Sequence, residues 1–375
     1  MEADFYDQIK IIPTFTGEHT IKTQQYVGYI VLPNHVISIT PKISGISFLN
    51  MVRYALKLPE LRPEYFEWDT EENYYDILVR FLLRELEKLL QRGIYKGYKQ
   101  YDDNLNCIRG KILFKEHLAV NYNRNDKVFC SFSEISGSIL ENQIIKYTVS
   151  YLSKCYFMDD EINSQLLNYY GRLEDVDLVP ITTELFKSIE YTPLNDHYRT
   201  ILTLCELFLK DSSLDQEKIG EKTSISFLID MNRLFEMFVS NLLAEHLHLY
   251  TIDPQKTEYP EQSGSRLRVR LDIKILRNGQ PLLIIDTKYQ KFSGTLDIDH
   301  VAQLALYSLS TGVKNCVLIY SGHMKRQDYL LKDNIKLQII SFDLVASDRH
   351  EFERKCQDFI QEVISLLNAL QSIPP

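Results

Sequence analysis

No hydrophobic run in this 375-residue chain approaches the roughly 18 residues that span a bilayer. The opening Met1-Glu-Ala-Asp has neither the basic nor the apolar region of a signal peptide, so a cytoplasmic location with no membrane partner is expected. Cysteine is scarce and scattered. Cys107, Cys130, Cys155, Cys205, Cys316 and Cys356 include no C-x-x-C pair and have no histidine at zinc spacing. They read as reduced, buried small hydrophobes. A phosphate-binding loop is missing as well. Gly220-Glu-Lys-Thr imitates its end, but the loop requires G-x-x-x-x-G-K-[ST] after a strand, and no earlier glycine stands at that spacing. The chain alone is therefore not expected to bind a nucleotide.

What is present is ordinary globular composition, 45% hydrophobic and 25% charged, on a length that suggests two or three domains. The net charge of −9 argues against a protein that coats nucleic acid without specificity. The cations are uneven, however. Arg266, Arg268, Arg270, Lys274 and Arg277 crowd into one stretch, with Lys288 and Lys291 just beyond it. An acidic body with one basic patch suits a subunit that meets DNA locally, helped by a partner.

In chain order, Gln8 to Lys42 is strand-like with a turn at Pro33-Asn34, and Ile46 to Leu56 reads as a short helix. Asn73 to Arg92 has the spacing of an amphipathic helix and stops at Gly93. Tyr95 to Glu134 reads as strands, including Asn106 to Leu118 and Lys127 to Glu134. Helices are expected over Ser138 to Phe157, Glu161 to Tyr170 and Asn195 to Lys210. The polar, aperiodic Asp211 to Lys222 sets an expected boundary between residues 1–215 and 216–375. Past it come a strand (Thr223 to Ile229), a helix (Met231 to Leu247), a hairpin, a helix (Asp299 to Ser310), two strands and a terminal helix. The expected fold class is α/β, α+β overall: a small β module with helices, then a mixed sheet flanked by helices.

The hairpin runs from Arg266 to Lys288 and turns at Asn278-Gly279, the strongest short-range hairpin signal. Period two puts Arg268, Arg270, Asp272 and Lys274 on one face of the first strand. On the second, Leu282, Ile284, Asp286 and Lys288 share a face, so an apolar run ends in a carboxylate and an ammonium. A three-residue loop would set Asp272 opposite Asp286, with Cβ atoms about 4.5–5.5 Å apart. A two-residue loop would make them diagonal neighbours. Either way two carboxylates converge, which is costly unless a cation neutralises them. Mg²⁺ fits, because it takes one or two carboxylates, keeps water and leaves room for a phosphate; Mn²⁺ is the alternative. Lys288 would then hold or deprotonate an attacking water. A D-x-K alone is more often a solvated strand end. Its company shifts the balance: Glu236 at the border of the apolar stripe of the preceding helix, on a row with Asn232 and Ser240, and Gln303 and Tyr307 at i, i+4 on the following helix, in line with Asp299.

Glu236, Asp272, Asp286-Thr287-Lys288, Gln303 and Tyr307, in this order, resemble the PD-(D/E)xK nuclease superfamily in its form with a Q-x-x-x-Y motif, over about residues 222–325. Leu271 stands where that superfamily places a proline. Some nucleases of this type carry an iron-sulfur cluster on four cysteines, a pattern not recognisable here. Over nearly its full length the chain resembles the McrC family, the nuclease subunits of McrBC-type restriction systems. Val27 to Lys42, Cys107 to Phe114, Ser136 to Leu152, Leu271 to Ile275, Leu282 to Lys291 and His300 to Leu309 carry that likeness. The resemblance implies Asp272, Asp286, the Thr287 carbonyl and Glu236 around a metal, with Lys288, Gln303 and Tyr307 serving catalysis and substrate. It also implies an McrB-like AAA+ GTPase hexamer as partner and modified double-stranded DNA as substrate, with the N-terminal half docking and stimulating GTP hydrolysis. Arg109 and Lys111 are candidates for entering the partner's nucleotide site. A non-catalytic scaffold in the same complex and a RecB-like repair exonuclease are the alternatives.

Overall fold

The computed structural model describes residues 10–13, 19–22, 25–32, 35–58, 74–157, 159–210, 227–254, 257–258 and 269–371. The chain opens with β1 (Lys10–Pro13), β2 (His19–Lys22), β3 (Tyr26–Leu32), β4 (His35–Ile39) and α1 (Gly45–Ala55). There follow α2 (Tyr74–Arg92), β5 (Gly97–Leu105), β6 (Lys111–Ile112), α3 (Phe114–Val120), β7 (Val128–Ser136), α4 (Leu140–Leu152), α5 (Asp160–Arg172) and α6 (Arg199–Lys210). The chain then gives β8 (Phe227–Asp230), α7 (Met231–His246), β9 (Thr251–Pro254), β10 (Thr257–Glu258), β11 (Val269–Arg270), β12 (Ile273–Arg277) and β13 (Gln280–Lys288). It closes with α8 (Ile298–Thr311), β14 (Asn315–Ser321), β15 (Gln327–Leu330), β16 (Lys336–Phe342) and α9 (Arg349–Gln371). Among the described residues no helix is long and apolar enough to cross a membrane.

The molecule is α+β, and its two compact units differ from the expected single cut between 215 and 216. Residues 1–74 cluster with 228–375, and 75–227 form the other unit. The reason is long-range packing. Strands β3 and β4 share a sheet with β8, in the order β4-β3-β8. Helix α1 lies against α7 and α9. Asn241 on α7 donates to the carbonyls of Tyr54 (3.2 Å) and Ala55 (2.8 Å), satisfying groups that a helix end leaves without partners. Ser44 donates to the Ala346 carbonyl at 2.7 Å, and the Ala346 amide donates to Ser47 at 3.2 Å. The polar segment 211–222 lies outside the described residues, as do Arg266, Arg268 and the Pro33-Asn34 turn.

In the first unit a six-stranded sheet runs β15-β16-β14-β13-β12-β9. Its centre, β13, β14 and β16, is parallel, and the remaining pairs are antiparallel. Buried on both faces, β14 reads as a continuous apolar run, as parallel strands do. Phe238 of α7 sits at a junction of aromatic rings, 5.8 Å from Tyr54, 5.2 Å from Phe342 and 5.9 Å from Phe352.

In the second unit β5, β7 and β6 form an antiparallel sheet beside helices. The expected strand over Asn106 to Leu118 is mostly something else. β6 lasts two residues, and Phe114–Val120 is a helix that buries none of its residues. Cys107, shortly before β6, is exposed rather than buried as expected. Gly110 precedes β6 at φ +66°, where a Cβ would meet the Ser131 carbonyl at 2.3 Å, so only glycine fits. Arg109 is paired with Glu134 and lies over the Phe132 ring. Inside the unit, the buried ammonium of Lys146 donates to the carbonyls of Leu173 (2.9 Å) and Val176 (2.7 Å).

Because Phe238 joins residues from both ends of the chain, Phe238→Ala is expected to cost about 3–5 kcal/mol in a chemical melt of the full chain. A loss below about 1 kcal/mol would contradict a shared core.

Candidate active site

The site is built by the hairpin turn and one irregularity. Asn278 (φ 51°) and Gly279 (φ 78°) are both left-handed, the conformation of a two-residue type I′ turn. Pairing starts at Arg277 with Gln280 and Leu276 with Pro281, then shifts by one residue, so that Ile275 faces Leu283 and Ile273 faces Ile285. The extra residue, Leu282, is a β-bulge. The turn thus has the two-residue form, and the bulge restores the register that a three-residue loop would give. Asp272 and Asp286 are the next residue on each chain beyond the last pair.

The first strand does not run through, contrary to the sequence expectation. β11 ends at Arg270 and pairs with β10, while β12 begins at Ile273 and pairs with β13. The break frees Asp272 from the ladder, and its side chain turns to Thr287. Asp272 Oδ2 accepts from the Thr287 amide (2.8 Å) and hydroxyl (3.2 Å). Lys274, expected on one face with Arg270, is buried in the strand that follows, while Arg270 is exposed.

Asp286 is fully buried, at 0% exposure. Lys288 Nζ lies 2.8 Å from its Oδ2. Burial pushes the Asp286 carboxyl up to about 7, the charge of Asp272 adds to the shift, and the Lys288 cation opposes it. Lys288 also donates to Gln303 Oε1 at 3.2 Å, and Gln303 donates in turn to the Tyr307 hydroxyl. Tyr307 is pushed up to about 12, first by burial and then by the carboxylates of Asp286, Asp272 and Glu236. Asp299 stays out of this group, exposed on the first turn of α8.

Two helices form the walls. Asp230 caps α7, accepting from the amides of Asn232 (2.9 Å) and Arg233 (3.2 Å), and Asp297 caps α8 in the same way. Glu236 from α7 and Gln303 and Tyr307 from α8 line a cleft of about 470 Å³ with Asp272. Asn232, Arg233 and Arg270 line it too, without having been singled out as site residues. The signal for the first was present, since Asn232 stands one turn before Glu236 on the same row.

The arrangement favours a hard cation. Asp286 carries two buried oxygens with a single ammonium, Lys288, against them and a second carboxylate beside them, a donor set whose repulsion a divalent ion would relieve. Among the described residues no three His, Cys, Asp or Glu side chains converge as a ligand set. A cation here would complete its shell from backbone carbonyl and water, the habit of Mg²⁺ rather than of zinc.

Comparison with known proteins covers most of the chain. The profile of the family described as "McrBC 5-methylcytosine restriction system component" matches residues 21–321, a span that includes β3 through β14 and the whole cleft. The type IV methyl-directed restriction enzyme EcoKMcrBC of Escherichia coli (strain K12) is 24% identical over 271 residues, 69% of this chain and 77% of that protein. In fold, the chain resembles a subunit of the half-complex from a tetradecameric assembly of Thermococcus gammatolerans McrB AAA+ hexamers with bound McrC. The TM-score is 0.62 at 18% identity, covering 96% of this chain and 86% of that one. With four-fifths of its length inside the profile, the chain belongs to the McrBC 5-methylcytosine restriction system component family.

Proposed function

We propose that this chain is the McrC-type nuclease subunit of a McrBC restriction complex, cutting modified double-stranded DNA with Mg²⁺, or Mn²⁺ in its place. The observation that carries the reading is the buried Asp286 beside Asp272, with Lys288 2.8 Å from Asp286 and Asp272 itself on the wall of the cleft. Asp272 and Asp286 would hold the ion, with the Thr287 carbonyl adding a ligand and Glu236 supporting from α7. Bound there, Mg²⁺ supplies Lewis-acid polarisation of the phosphate and a more acidic water. Lys288 orients the attacking water for in-line displacement at phosphorus and offsets the charge that develops on the phosphoryl oxygens. Gln303 fixes the Lys288 ammonium through its carbonyl, and Tyr307 fixes the Gln303 amide from behind. Together they hold that ammonium beside Asp286 without relying on a flexible lysine stem.

Family membership supports a cytoplasmic complex with an McrB-like AAA+ GTPase hexamer, whose GTP hydrolysis this subunit would stimulate. The net charge of −9 favours a division of labour in which the partner holds DNA and this chain meets it at the cleft. The unit of residues 75–227 is the docking element in this reading. Arg109, held by Glu134, and Lys111 stand on it.

In the complex assembled with its AAA+ partner, Asp286→Ala and Lys288→Ala are each expected to lower single-turnover cleavage by at least about a thousandfold. GTPase stimulation by both variants should stay within about twofold of the parent. Undiminished cutting by both would refute the site.

The raised Asp286 carboxyl also sets a pH dependence. Its folded value of about 7 lies above the unfolded value of about 3.9, so the folded state holds its proton more tightly. The resulting stability is complete below about pH 4 and is lost as pH rises through 7. Without divalent ions, thermal melts should show this loss between pH 5.5 and 8, and Asp286→Asn should flatten it. Added Mg²⁺ should raise the melting temperature more at pH 8 than at pH 5.5. An equal Mg²⁺ effect at both pH values, or in Asp286→Asn, would contradict the assignment.

A further inference from the structure

The lysine of the site has a positioning residue on a different element. β13 ends at Lys288, so Tyr289 is the first residue past the ladder. There the chain turns sharply, with the Gln290 amide donating to the Lys288 carbonyl at 2.7 Å. The amide of the intervening Tyr289 donates to Asn232 Oδ1, at 3.2 Å, on the first turn of α7. The ends of that stretch of backbone are therefore tied by the turn and its middle by a side chain from another element.

Asn232 is itself set rigidly. Its own amide is capped by Asp230 at 2.9 Å, and the preceding Met231 amide donates to the Gln25 carbonyl at 3.1 Å. The rings of Phe235, one turn further along α7, and Tyr289 lie 6.1 Å apart and pin the same junction by packing. Asn232 also faces the cleft that holds Asp272, Glu236 and Gln303. α7 thus contributes in two ways: Glu236 lines the cleft, and Asn232 grips the backbone next to the lysine.

We propose that Asn232 is the positioning residue for Lys288. By accepting from the Tyr289 amide, it sets the height at which the ammonium leaves β13 and meets both Asp286 and Gln303. The inference rests on the nuclease reading above, because it concerns the placement of that reading's lysine. The chemistry is selective. The position needs a short side chain with an acceptor at the reach of Asn Oδ1. Aspartate meets that requirement, glutamine carries its carbonyl about 1.5 Å farther out, and leucine has none.

The test compares Asn232→Asp, Asn232→Gln, Asn232→Leu and Lys288→Ala in the complex assembled with the AAA+ partner. Single-turnover cleavage is followed across DNA concentrations, together with amide hydrogen exchange of the peptide containing Tyr289. Asn232→Gln and Asn232→Leu are expected to lose about a hundredfold in the cleavage rate constant, the scale of an ångström-sized misplacement, with half-saturating DNA within about twofold. Exchange at Tyr289 should speed up in both. Asn232→Asp should restore slow exchange and keep the rate within about fivefold of the parent. Parent-like cleavage and exchange in Asn232→Gln, with Lys288→Ala inactive, would overturn the positioning role and leave the nuclease reading standing. Parent-like cleavage by Lys288→Ala would overturn the reading itself. If Asn232→Leu fails to assemble, the comparison of Gln with Asp still decides, since both keep a polar group in place.

Discussion

Two carboxylates brought together at the end of an apolar strand pair are an electrostatic problem that the rest of the first unit is arranged around. Asp286 is poorly served by burial, because it gives up water for one ammonium, Lys288, and a second carboxylate stands beside it. In a protein selected only for stability, an apolar residue at this position would serve better. Its burial is understandable if the position exists to hold a cation.

The fold holds that strained pair in register by several independent means. The bulge at Leu282 adjusts the hairpin so that the carboxylates emerge on adjacent chains, and the break between β11 and β12 releases Asp272 to bond Thr287. On the other side of β13, parallel pairing with β14 keeps Asp286, Thr287 and Lys288 level with Leu318, Ile319 and Tyr320. Helices α7 and α8, each capped by an aspartate, then close the cleft with Glu236, Gln303 and Tyr307. Lys288 stands where these constraints meet, held by Asp286 and Gln303 through its side chain and by Asn232 through its backbone neighbour. Residues 45–55 belong to the same framework, since α1 packs on α7 and shares its hydrogen bonds.

Much of this could be read from local pattern. Asn278-Gly279 announces the hairpin, the spacing of Gln303 and Tyr307 places them on one helical row, and the apolar stripe of α7 puts Glu236 at its border. The position of Asp272 opposite Asp286 was within reach under one of two registers. What local pattern could not reveal depends on distant partners. Nothing in the alternation of Val269 to Ile273 says that the strand changes sheets at Asp272, because the choice is made by β10 on one side and β13 on the other. The bulge depends on the same pairing. The union of residues 1–74 with 228–375 is a matter of which helix covers α7, and the period of α1 would fit another apolar face equally well. Phe114 to Leu118 is short enough that a strand and a helix compete, and the structure resolves it as helix.

In the proposed site Asp272 and Asp286 jointly hold a divalent cation to which Lys288 is adjacent but not a ligand. Its most direct test is Mn²⁺ binding to the full chain, followed by electron paramagnetic resonance, in the parent protein and in Asp272→Asn, Asp286→Asn and Lys288→Met. Binding that is weakened at least about tenfold by either aspartate substitution and kept by Lys288→Met is the expected result. Binding indifferent to both aspartates would contradict it.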